Sequence, residues 1–306
     1  MKISLLENFR ALFYAPFYAT FALGAYEAEG LNVELKSPSE FGNSLRVLAE
    51  GGADVSWGGP MRLMAARDKD PHASGVAFCE VVGRDPFFLI GRTDNPTFRM
   101  QDLLGKRVAM ASEVATPWIC LQYDLTRAGI APEAITRAPA KTMVENVAAL
   151  RDGEVDVIQV FHPLAKTGVG EGLGHLWYSA ASRGPTCYTT LNTTRDFIEK
   201  HPDVVLRMTR AVYRVQKWIA AHEAGDLASV VAPYLPDVPL PVLTACCEDY
   251  RRCEVWSREP IVQRAGLEWK RDAMLSSGAI RERLEYEAYV DMRFAEEVVR
   301  ENSPSI

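Results

Sequence analysis

Apolar and polar positions alternate in two rhythms along the first part of the chain. KISLLE, NVEL and ADVSW, beginning at Lys2, Asn32 and Ala53, are short strand-like runs. Between them, FYATFALGAYEAEGL and FGNSLRVLAE carry apolar residues at helical spacing, with Phe41, Leu45 and Leu48 on one face. The first of these helices stops at Gly30. Gly58-Gly59-Pro60 opens another, MRLMAARD, with proline suited to the first helical turn. The same order then returns as KRVAMAS, PWICLQYDLTRAGI, EAITRAP, TMVENVAAL and EVDVIQV. Strands alternating with helices of this length predict parallel βαβ units.

The two series also match at the level of residues. LAEGGADVSWGGPM at 48–61 resembles LRDGEVDVIQVFHPL at 150–164, pairing Leu48 with Leu150 and Gly51 with Gly153. Asp54-Val55 then pairs with Asp156-Val157, and Pro60 with Pro163 after one inserted residue, while Gly129 stands where Gly30 stood. Two similar α/β lobes are therefore expected. Apolar strands at 75–82 and 87–92 fit a crossing into the second lobe, and the extended run at 187–194 fits the way back. The rest is helical: His201-Pro202 marks one helix start, and Gly278 sits where a C-terminal cap belongs. The expected division is 1–92 with 187–306, first lobe plus helical tail, and 93–186, second lobe, joined by a hinge.

Charge narrows the partners. A formal net charge of −6 over 306 residues leaves no basic excess to meet phosphates, so nucleic acid is not expected as a partner. No apolar run is long enough for a membrane span, and KISLLENFR begins as a strand without the regions of an export signal. The six cysteines form no CxxC pair and the histidines show no metal-ligand spacing, so neither metal nor cofactor is expected. A cytoplasmic location follows for the chain as it stands, and a periplasmic one if a leader had been trimmed.

Ligands of parallel α/β lobes bind where strands run into helices. In the first lobe those loops hold Phe9, Arg10, Tyr14, Phe41, Trp57, Gly58 and Gly59. The second lobe and the return crossing add Ser112, Glu113, Thr116, Trp118, Phe161, His162 and Tyr188. Facing aromatic loops would sandwich a flat ligand, with Arg10 and the helix start at Ser112–Pro117 orienting one anionic or carbonyl group. Glu80 and Glu113 could take an ammonium or amidine nitrogen. No GxSxG, HExxH, Walker loop or Ser/His/Asp order is present, so no catalytic set emerges.

The order of "GL-NVEL", "GGADVSWGG", "LLGKRVAM", "EVDVIQVFHPLA" and "FIEKHPDVVLRMTRAV" resembles the substrate-binding proteins of ABC importers over roughly residues 1–295. It is closest to the branch for sulfonates, taurine, nitrate and thiamine-pyrimidine precursors, which also contains the thiamine-pyrimidine synthases. The resemblance implies a two-lobed, type II periplasmic-binding-protein fold, a ligand cleft at Arg10, Trp57, Gly58, Gly59, Ser112, Thr116 and Phe161, and a transporter permease as partner. Two departures speak against synthase chemistry: Arg62 stands near the place of that branch's histidine, and GPTCYTT carries no cysteine cluster. The expectation is a solute-binding protein for a small, polar or anionic, aromatic or heteroaromatic molecule. The alternatives are a cytosolic enzyme on the same fold, synthase-like or desulfinase-like, and a cytosolic ligand sensor.

Overall fold

The computed structural model describes residues 1–37 and 43–306. Its first half runs β1 (Lys2–Leu6), α1 (Ala15–Ala22), α2 (Ala25–Ala28), β2 (Asn32–Lys36), α3 (Ser44–Ala49), β3 (Val55–Gly58), α4 (Met61–Lys69), β4 (Gly75–Val82) and β5 (Phe87–Gly91). It continues through β6 (Arg107–Ala109), α5 (Thr116–Arg127), β7 (Thr136–Arg137), α6 (Met143–Arg151), β8 (Val157–Phe161), α7 (Leu164–Gly170), β9 (His175–Ser179) and β10 (Thr189–Thr194). The tail holds α8 (Arg195–Lys200), α9 (Pro202–Ala221), α10 (Ala224–Val231), α11 (Leu240–Arg252), α12 (Arg264–Ser276) and α13 (Arg293–Glu301).

Two five-stranded sheets result, ordered β2-β1-β3-β10-β4 and β7-β6-β8-β5-β9. In each, the parallel strands form one block and the crossing strands join it antiparallel. The internal echo is structural. Asp54 accepts the Ser4 backbone N–H at 2.7 Å, and Asp156 accepts that of Arg107 at 2.9 Å, so each fastens the first strand of its lobe to the third. Gly51 and Gly153 stand at φ of 76° and 75°, and Gly30 and Gly129 at 70° and 76°. That left-handed region is open to glycine without strain, and the helix-to-strand turns require it.

One boundary moves. The expected division left residues 87–92 with the first lobe, but β5 pairs with β8 and β9 in the second sheet. Its sequence FFLIG is buried along its whole length, as a strand inside a covered sheet must be, so the crossing falls between Val82 and Phe87. The tail is also not confined to one lobe. Helix α12 packs on both α4 and α5, and α11 reaches α7. Asp249 of α11 meets Lys166 at 2.8 Å and His162 at 3.4 Å across the lobes. Beside the crossings, buried Arg183 binds Asp85 at 2.5 Å and Asp124 at 2.6 Å, holding the return segment to both β5's approach and α5.

Candidate functional site

The loop after β1 meets the end of β8 where the lobes face each other. Phe9 lies nearly parallel to Phe161 with centroids 6.5 Å apart, and Phe13 meets Phe161 edge-on at 5.3 Å. Phe13 also meets Tyr188 at 5.8 Å, and Phe87 meets Phe161 at 5.2 Å. Phe9, Tyr14, Phe161 and Tyr188 of the expected aromatic set thus come together, and here the rings pack on one another across the junction.

Other expected residues have different duties. Trp57 is fully buried and stacks on Phe17 at 4.5 Å, in the first-lobe core. Of the two glycines beside it, Gly59 allows close backbone packing, since a Cβ there would stand 3.2 Å from the Tyr188 carbonyl oxygen, whereas one on Gly58 would meet Ser44 and Asn8 at ordinary contact distance. Arg10 is committed to Glu7 at 2.7 Å and to the Tyr234 carbonyl at 3.1 Å, and it lies over the Tyr18 ring. Trp118 leans on the second-lobe core, under the Arg137 guanidinium at 4.6 Å. Glu113 accepts the Met143 N–H at the start of α6, Ser112 is exposed beside it, and Thr116 opens α5. Glu80 lies buried within β4, hydrogen-bonded to Ser257. His162 is buried and turned toward Asp249 at an ion-pair distance, and burial lowers its pKa. Phe41 lies outside the described residues.

Two cations outside the strand-end loops stand at the junction instead. Arg62, in the first turn of α4, is half-buried, and burial lowers its pKa with only the Tyr14 and Tyr188 hydroxyls acting the other way. Among the described residues its side chain has no carboxylate partner and no hydrogen bond. Lys270 of α12 is fully buried, donates to Cys120 Sγ at 3.3 Å and sits 4.8 Å above the Tyr188 ring, with no carboxylate among the described residues at ion-pair distance. Burial pushes the Cys120 thiol up despite that ammonium, the opposite of what a nucleophile requires. Arg62 had a signal, two residues after Gly58-Gly59-Pro60 in the helix start. Lys270 had none, because WKRD lies in the tail and only the packing of α12 on α5 brings it here.

Unpaired buried cations are costly, and such charges gathered at a junction mark it as a candidate anion site. The Bacillus subtilis protein named Putative binding protein YtlA is 25% identical over 305 residues, covering 98% of this chain and 90% of that one. The alkanesulfonate-binding protein SsuA of Xanthomonas axonopodis pv. citri, solved bound to MOPS, superposes with TM-score 0.70 at 14% identity, covering 95% and 98% of the two chains. The desulfurization enzyme DSZB superposes with TM-score 0.69 at 13% identity, covering 99% of each. The chain has this two-lobed, periplasmic-binding-protein fold. The family model described as NMT1/THI5 like matches residues 13–224, from the aromatic turn of the first lobe into α10, and the chain belongs to that family.

Proposed function

We propose that the protein is a solute-binding protein of the ABC-import type that captures a small organic anion with a flat body between its lobes. The observation that carries this reading is the pair Arg62 and Lys270, two cations without acidic partners among the described residues that converge on Tyr188. An anion entering the junction would relieve both desolvated charges, and Arg62 can grip it with two parallel N–H bonds. Parting of the lobes would expose Phe9 and Phe161 as facing π-surfaces for a ring. The alkanesulfonate-binding neighbour and the binding-protein name of the Bacillus relative support the same class. A transporter permease is then the partner that receives the cargo.

Calorimetry with benzenesulfonate, benzoate, taurine, nitrate and uncharged benzamide tests the reading. The aromatic anions are expected to bind tightest, and Arg62→Ala to weaken them about tenfold while leaving benzamide within a factor of two. Nitrate or taurine binding above the aromatic anions would remove the flat body from the proposal. Equal weakening of charged and neutral probes would make Arg62 structural. Consumption of a bound probe during incubation would move the protein to the enzymes.

A further inference from the structure

Away from the junction, a cavity of about 330 Å³ opens between α9, α11 and the strap that follows α11, lined by Gln216, Ile219, Glu223, Glu248, Arg251 and Trp256. Its size is at the lower end of small-molecule sites. Gln216 is only 3% exposed, and its Nε2 donates to the carbonyls of Glu80 at 2.9 Å and Glu259 at 3.3 Å. Those two bonds fix the amide orientation, so the unpartnered atom is Oε1, a buried acceptor without a donor. Arg251 presents the complement, a buried Nη1 donor without an acceptor. Glu248 lies one helical turn before Arg251, a spacing at which opposite charges commonly pair, yet among the described residues the two form no ion pair. Both line the cavity as separate charges. Ile219 and Trp256, each more than nine-tenths buried, supply an apolar wall.

We propose that this cavity is a second ligand site, for a small zwitterion of the α-amino-acid type. Its carboxylate would meet Arg251, and its ammonium would meet Glu248 and the Gln216 Oε1. A plain anion would satisfy Arg251 alone and leave Gln216 without its donor. A plain cation would leave Arg251 unanswered. A molecule carrying both groups supplies both missing partners, one acceptor for Arg251 and one donor for Gln216.

The test is calorimetry on the full chain with L-alanine and L-glutamine as probes, and acetate and methylammonium as single-charge controls. An amino acid is expected to bind while neither control does. Arg251→Met and Glu248→Gln are each expected to weaken it about tenfold, with Arg62→Ala leaving it within a factor of two. Glu248 is exposed, so its substitution keeps the fold and the test stands even if a change at Gln216 would not. Absence of amino-acid binding at millimolar concentration would overturn the site, as would acetate binding equally well. Loss of the amino acid in Arg62→Ala would place the probe in the junction and overturn it too. Success or failure here is independent of whether the junction takes an aromatic anion.

Discussion

Burial and pairing decide what each ionisable residue can do. Glu80 is buried in β4, and burial raises its pKa to about 7, partly offset by hydrogen bonds from Ser257 and Cys187. The folded state therefore holds a proton that the unfolded chain gives up near 4.5, so folding is penalised progressively from pH 4.5 to 7 and by a constant amount above. Glu80→Gln is expected to match the parent's unfolding free energy near pH 4.5 and to exceed it increasingly up to pH 7, by about 3 kcal/mol at the plateau. A difference independent of pH would show that the carboxyl is ionised in the fold. Trp57→Ala removes a fully buried ring stacked on Phe17 and should cost about 3–5 kcal/mol in urea unfolding, with ligand affinity following stability rather than contact. Arg62→Met should do the reverse. It removes an unpaired, half-buried cation, so the free protein gains stability while anion binding falls. Loss of both together would mean that the guanidinium is paired in solution.

At the scale of elements, the repeated strand–helix unit and its fastening aspartate were legible in the residues. Asp54 and Asp156 were visible as an echo, but their job, accepting a first-strand N–H, belongs to the parallel pairing of β1 with β3 and β6 with β8. The placement of β5 was not legible, since an all-apolar strand fits the inside of either sheet. The contact of α11 with the second lobe was equally hidden. There Lys166 and His162 outweigh the effect of burial and hold the Asp249 carboxyl well below its usual range, so it stays charged at all ordinary pH. His162 is the titrating member, with burial lowering its pKa from 6.5 against the pull of Asp249, and Lys166 and Arg252 acting with burial. A lowered histidine pKa means that the unfolded or opened state binds more protons, so this contact weakens as pH falls below about 6.5. Hydrogen-exchange protection of α7 and α11, referred to the intrinsic exchange rate at each pH, should fall in step on acidification from pH 7 to 5, and Asp249→Asn should lower it at pH 7. Unchanged exchange in Asp249→Asn would show that the apolar contacts of Tyr250 carry the brace alone.

For the whole molecule, the governing fact is that one cluster of rings closes the two lobes on each other. A ligand that binds between them must win against those contacts, and it then stabilises the protein by about 2.7 kcal/mol at a hundredfold excess over Kd. Arg62→Ala should cut that shift to about 1.4 kcal/mol for an aromatic anion at the same ligand concentration, measured as Tm against ligand concentration, and an undiminished shift would place the ligand elsewhere. The sequence by itself determined the two-lobed α/β plan, the turn glycines and the aromatic loops, because these follow from local periodicity, from conformations reserved to glycine, and from the rule that loops at strand ends face a cleft. Tertiary structure alone decided which charges are answered. Arg10 was spent on Glu7 beside it, whereas Arg62 and Lys270, far apart along the chain, were brought unpaired to one tyrosine ring. Whether a charge has a partner depends on every element packed against it, and local pattern carries no record of what arrives from two hundred residues away.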